Sequence, residues 1–244
     1  MKAINLIKIL FFFVAFAMIS CQKDDIRISG EGPITTKTLD VANFSGLELA
    51  VAANVVVSQG ARQEVTATGH ANIIDRIDKK VSGDIWTIEL DKGRYRDYEL
   101  TINVTVPDLN SIYLSGSGHI TINDFVNQSD LVLDLSGAGQ IDLNTFSGTE
   151  NMDIDISGSG IITGYNKLSS LREVNLRING SGSYHGFPIM SDVCKVNISG
   201  SGTCQVSVRN TLEVSIGGSG TVYYKGNPSI KDHTNRAGNI VNAN

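Results

Sequence analysis

A short glycine-serine tetrapeptide returns along the C-terminal half of this 244-residue chain at a nearly fixed interval. The copies are Ser115-Gly-Ser-Gly118, Ser136-Gly-Ala-Gly139, Ser157-Gly-Ser-Gly160, Asn179-Gly-Ser-Gly182, Ser199-Gly-Ser-Gly202 and Gly217-Gly-Ser-Gly220, with a degenerate Asn235-Arg-Ala-Gly238 after them. Their last glycines are 21, 21, 22, 20, 18 and 18 residues apart. A low-complexity linker would set arbitrary residues around such turns, but here the flanks are regular. One residue before each tetrapeptide stand Leu114, Leu135, Ile156, Ile178, Ile198 and Ile216. Three before stand Ile112, Leu133, Ile154, Leu176, Val196 and Val214, and two after its last glycine stand Ile120, Ile141, Ile162, Tyr184, Cys204 and Val222. Apolar columns alternating with polar ones at period two are the mark of strands with one buried face.

A unit of about 20 residues with two or three short strands cannot bury its own apolar face, whereas a stack of such units can. The expected fold is therefore all-β: a parallel β-helix, or β-solenoid, with coils of about 20 residues and a Gly-Ser ladder. Like residues should pile up about 4.8 Å apart. Glycine suits columns where the coil bends or presses on another wall and a side chain would clash. A β-sandwich or propeller competes, but both use longer repeats and neither accounts for a glycine ladder. The repeat solenoid is assigned to residues 108–242. Residues 35–107 alternate too, in Leu47–Val51, Val55–Val57, Glu64–Thr68, Trp86–Leu90 and Tyr98–Val106, but lack the clean repeat. They read as irregular coils or as a cap on an otherwise unpaired strand edge, with the charged Asp91–Asp97 stretch as a hairpin turn.

The first residues read as a targeting segment. Lys2 and Lys8 precede an apolar run from Ile9 to Ile19, too short to span a bilayer and laid out like a secretory signal, assigned to residues 1–20. Met18-Ile-Ser-Cys21 resembles a bacterial lipobox, in which Cys21 becomes the lipidated first residue; a plain signal cut near Ser20 is the alternative. Residues 21–34 would be the tether, and Asp24-Asp25 resembles a surface-export signal of Bacteroidetes lipoproteins. Partners expected on this basis are a membrane reached through the lipid anchor, and a glycan or cell-surface protein. The location expected is the cell envelope, as an outer-membrane lipoprotein exposed at the surface. Loss of residues 1–20 removes Lys2 and Lys8, so the net charge moves from −5 to −7. A mildly acidic body without Lys/Arg clusters argues against nucleic acid as a partner.

Chemistry is sparse. Asp134 and Asp155 share an outward column with Tyr113, Arg177, Asn197 and Ser215, on adjacent coils. Two carboxylates at that spacing raise one another's proton affinity, which suits an acid/base pair or a cation site. The alternative is a solvated surface ladder in which Arg177 offsets part of the repulsion. Among the aromatics after the glycine turns, parity turns Tyr184 and Tyr224 inward and leaves Tyr165 and Tyr223 as candidate ligand contacts. His70, His119, His185 and His233 show no metal-ligand spacing, and no cofactor or metal is expected. Cys194 and Cys204 fall in different apolar columns and read as buried free thiols; a disulfide is the competing reading.

The Phe44-Ser-Gly-Leu-Glu-Leu49 segment, Val104-Thr-Val-Pro-Asp-Leu109, the Ser-Gly-Ser-Gly copies and Gly220-Thr-Val-Tyr-Tyr-Lys-Gly-Asn-Pro228 together resemble the "putative auto-transporter adhesin, head GIN domain" family over about residues 35–242. That resemblance implies a β-helix-like fold and an exported location, and carries no catalytic residues. Two functions follow as expectations: a non-catalytic adhesion, binding or structural module, or a polysaccharide lyase or hydrolase on a parallel β-helix. A structural role would show itself as pairing between copies, hence as oligomers.

Overall fold

The computed structural model describes residues 27–166, 168–235 and 237–244. The proposed leader, Cys21 and the Asp24-Asp25 pair lie outside the described residues. Among those described, no helix is long and apolar enough to cross a membrane.

The chain is a β-solenoid of about six turns with about 21 residues per turn. Each regular coil has two main strands joined by the glycine-serine corner. The first stack contains Ser111–Leu114, Leu131–Leu135 and Asn151–Ile156, paired in parallel with Leu114 beside Leu135 and Leu135 beside Ile156. The second contains His119–Ile122, Gln140–Leu143 and Ile161–Gly164, also parallel. The expected ladder of apolar residues is present and longer than the repeat alone suggests. Ile88, Leu49, Leu114, Leu135, Ile156, Ile178, Ile198 and Ile216 follow one another in register. None is more than 1% exposed, and each such side chain contributes about 2–3 kcal/mol by leaving water. A further parallel contact joins Phe125 to Phe146, whose rings lie 5.6 Å apart inside the coil.

The glycines act between coils rather than across the interior. A Cβ on the first glycine of a tetrapeptide would strike the equivalent carbonyl of the preceding coil, at 2.3 Å for Gly158 over Gly137 and 2.2 Å for Gly200 over Gly180. The second glycine makes room for the ladder residue next door: a Cβ on Gly160 would stand 2.6 Å from a Leu135 methyl. Hydrogen bonds continue through these corners, Ser159 N–H donating to Gly137 O and Ser181 N–H to Gly158 O. The stack is thus stitched at its bends as well as along its strands.

The N-terminal half departs from sequential stacking. Strand Gly46–Leu49 lies between Ile85–Ile88 on one side and Ser111–Leu114 on the other, parallel to both. Asn54–Gln59 lies likewise between Leu100–Val106 and His119–Ile122. The coil that comes first in the chain is therefore second in space, and the chain passes over it at Pro107–Asn110. The Asp91–Asp97 stretch is no hairpin turn. Its flanking strands belong to different stacks, so it forms the corner that glycine-serine forms elsewhere, and Arg94–Arg96 pairs in parallel with Arg27–Ser29. Beyond the terminal coil, Glu64–His70 runs antiparallel to Leu100–Val106, and Ile34–Thr38 antiparallel to Glu64–His70. These strands close the edge that a terminal coil would otherwise expose. The single turn of helix Ala71–Ile74 buries Ile73 and Ile74.

Cys194 sits between Val174 and Leu212, and Cys204 between Tyr184 and Val222. Both are buried free thiols.

Candidate functional site

Outward side chains of the two stacks form two long faces. On the first, register places Glu48, Tyr113, Asp134, Asp155, Arg177, Asn197 and Ser215 in one column. Asp134 and Asp155 are thus direct neighbours, as their spacing requires. Partial burial, the Asp155 charge and the Glu48 charge together hold the Asp134 carboxyl above the usual carboxylate range. Glu48 accepts a hydrogen bond from the Thr87 hydroxyl at 3.1 Å. Arg177, although beside Asp155 in register, forms no ion pair with it among the described residues. It lines a shallow hollow of about 200 Å³ with Asn175, Lys195, Asn197, Glu213 and Ser215, where Lys195 is taken up by Glu173 at 2.7 Å.

The second face holds both candidate aromatics. Thr121, Asp142, Thr163, His185, Gln205, Tyr223 and Val241 form one outward column. Tyr165 follows the strand Ile161–Gly164, its N–H bonded to Leu143 O. Tyr165 is 53% exposed and Tyr223 36%, while Tyr184 is buried and Tyr224 is partly buried against the core. Inward space for Tyr184 comes from Gly186, where a Cβ would stand 2.2 Å from the Tyr184 ring.

A polar cluster that the sequence reading did not single out sits on this second face. Asp142 is only 8% exposed although its side chain points out of the core. Its Oδ2 lies 2.7 Å from His119 Nε2, and its Oδ1 accepts from Gln140 Nε2 at 2.8 Å. The Tyr165 hydroxyl bonds to the same carboxylate, and the Asp142 charge, with slight desolvation and that bond, holds Tyr165 above the ordinary phenol value. Because a carboxylate only accepts, the short contact places a proton on His119 Nε2. His119 and Asp142 are 23 residues apart, one coil plus two, so they are diagonal neighbours on one face. That offset is the signal that could have found them. Among the described residues, no group of three or more His, Cys, Asp or Glu side chains could hold a metal ion.

A family model described as "Putative auto-transporter adhesin, head GIN domain" matches residues 43–228. Among solved structures, a putative adhesin from Bacteroides fragilis is similar with a TM-score of 0.80 and 21% identity, over 88% of this chain and 99% of that one. A putative adhesin from Parabacteroides merdae has a TM-score of 0.69 and 16% identity, over 89% of this chain and 100% of that one. One from Parabacteroides distasonis has 0.67 and 18%, over 88% and 99%. Among curated proteins, none matches. At these identities the solved structures speak for the shared fold.

Proposed function

This chain belongs to the head GIN domain family of putative auto-transporter adhesins, and from that premise we propose that it is an exported, lipid-anchored adhesion module. Family and fold both fit a binding or structural role. In this reading Cys21 carries the lipid, the tether spans 21–34, and the solenoid stands at the outer membrane facing outward. Its second face meets a glycan or a cell-surface protein without chemical turnover. One observation carries the reading: Tyr165 and Tyr223, both exposed, stand on a single face whose register is fixed coil by coil. Aromatic rings on a rigid surface supply contact area at little ordering cost.

The test is binding of the full chain to arrays of glycans and to cell-surface extracts, with Tyr165→Ala/Tyr223→Ala beside it. Retention of full binding by the double variant would discard this face. Labelling with a fatty-acid analogue should mark the wild type and not Cys21→Ser, and protease added to intact cells should reach the solenoid. Release of reducing ends or unsaturated products from polysaccharides, lost in Asp134→Asn/Asp155→Asn, would replace the proposal with an enzyme.

A further inference from the structure

A groove follows the corner between the two stacks. One hollow, of about 540 Å³, is lined by Asn54, Tyr98, Glu99 and Thr101. A second, of about 280 Å³, is lined by Gln140, Ser159 and Ile161. Both are also lined by Ser117, Gly118 and His119, where they adjoin. The groove therefore crosses successive coils and runs along the solenoid axis. Across the smaller hollow the outward corner residues Ser117, Ala138 and Ser159 are small, being those of the glycine-serine turns, so these three coils repeat a similar surface about 4.8 Å further on. An occupant that is itself a linear repeat fits such a surface better than a compact one.

Charge narrows the class. Among the described residues, neither hollow is lined by a Lys or Arg; Glu99 lines the larger, and Asp142 stands behind His119 and Gln140. Uronates, sulfated sugars and acidic peptides meet like charge there. Hydrogen-bonding capacity narrows it further. Asp142 takes up the His119 Nε2 proton, an amide proton of Gln140 and the Tyr165 hydroxyl, fixing all three groups. Among the described residues, the amide oxygen of Gln140, the other ring nitrogen of His119, and the Ser117 and Ser159 hydroxyls keep free bonding capacity, a set suited to ligand hydroxyls. Ile161, 39% exposed, offers apolar surface in the smaller hollow, and the Tyr165 ring, whose hydroxyl bonds to Asp142, stands exposed on the adjoining second face.

We infer that this corner groove holds a neutral glycan chain laid along the solenoid axis. His119 and Gln140 read its hydroxyls, Asp142 is their positioning residue, and Tyr165 is the ring against which a sugar stacks. The inference rests on the binding role proposed above and specifies its ligand.

The test is affinity electrophoresis of the full chain through gels containing neutral polymers (β-glucan, α-glucan, mannan, xylan, galactan) or anionic ones (polygalacturonate, heparin). At least one neutral polymer should retard the wild type and the anionic ones should not. His119→Ala, Gln140→Ala and Tyr165→Ala should each weaken that retardation about tenfold, the loss expected for one hydrogen-bonding or stacking group. Ser117→Trp, which fills the junction of the hollows from an exposed position, should abolish it with an unchanged melting temperature. Retardation by anionic polymers alone, or neutral binding insensitive to Ser117→Trp, overturns the inference and leaves the adhesion role standing. Protein binding that needs Tyr165 and Tyr223 but not Gln140 does the same. Absence of any ligand, glycan or protein, sensitive to Tyr165 or Tyr223 overturns both.

Discussion

A Cβ built on Gly137 would stand 2.0 Å from the carbonyl oxygen of Gly116, one coil away. Backbone lies at that point, not a flexible side-chain end, so neither coil can give way without losing the hydrogen bonds that stitch the corners. Gly137→Ala should therefore cost on the order of 1–3 kcal/mol, the range for overpacking a tight site. Gly217 is the internal control. It occupies the column that holds serine or asparagine in the other copies, and among the described residues a Cβ there would find nothing nearer than Ile198 O at 3.9 Å. Gly217→Ala should be neutral or gain up to about 1 kcal/mol by restricting the unfolded chain. Chemical denaturation followed by circular dichroism separates them, and equal midpoints would remove the glycine ladder as a stacking constraint.

Trp86 tests the out-of-order coil. It is the chain's one tryptophan, fully buried, paired with Leu47, 5.5 Å from the Phe44 ring, with its indole N–H donating to Asp78 O at 3.0 Å. Trp86→Ala should cost about 3–5 kcal/mol. Because coils of a solenoid contact mainly their neighbours, the damage should stay at that end. Limited proteolysis should cut first within 61–107 while Cys194 and Cys204 stay protected from thiol reagents. Simultaneous loss of both would mean that the stack unfolds as one unit.

The Asp134 carboxyl makes a prediction of opposite sign to the usual one for acidic groups. Its folded pKa is raised, by desolvation first and then by Asp155 and Glu48. The folded state therefore holds its proton more tightly than the unfolded chain, and the charged form opposes folding at neutral pH. Asp134→Asn should stabilise the protein at pH 7, by less than about 1 kcal/mol because solvent screens a half-exposed group. The gain should vanish below the ordinary aspartate range, near the reference value of 3.8. Melting curves of both proteins at pH 7 and pH 3 check the sign. A destabilised variant at pH 7 would mean that Asp134 has a favourable partner.

How much of this was legible in the sequence depends on whether contact follows the repeat. Leu114, Leu135 and Ile156 were readable as a ladder because one period separates each from the next. Asp134 and Asp155 were placed side by side for the same reason. His119 and Asp142 were not, since a diagonal contact adds two residues to the period and resembles no local motif. The reversed order of coils near Trp86 was invisible. Leu49 contacts Ile88 and Leu114 through chain separations that carry no repeat, and strand alternation is identical in either stacking order. The 91–97 stretch misleads because a charged, glycine-containing stretch between two strands suits a hairpin and a solenoid corner equally well. Only the pairing partners of Trp86 and Ile102 tell them apart.

The two buried cysteines, Cys194 and Cys204, give the clearest pH dependence. Burial alone pushes the Cys194 thiol up to about 12, from an ordinary 9.0, and burial with the nearby Cys194 raises Cys204 well above its usual range. Burial likewise raises the Tyr184 hydroxyl, with the two cysteines adding to it. Folded chains must keep these groups neutral, whereas unfolded chains release the protons. The stabilisation is thus complete below about pH 8.5, where the unfolded thiols are still protonated, and is lost as pH rises towards 12. Two outcomes are expected. At pH 8 neither thiol should react with Ellman's reagent until denaturant is added, since the reactive thiolate is absent and access is closed. Between about pH 9 and 12 the melting temperature should fall, and Cys194→Val/Cys204→Val should fall less steeply. Valine already fills adjacent rungs of both columns, at Val174 and Val222, so the double variant should fold normally at pH 7. Rapid labelling of the native protein, or parallel alkaline slopes for the two proteins, would mean that these thiols are not held in the dry interior of the stack.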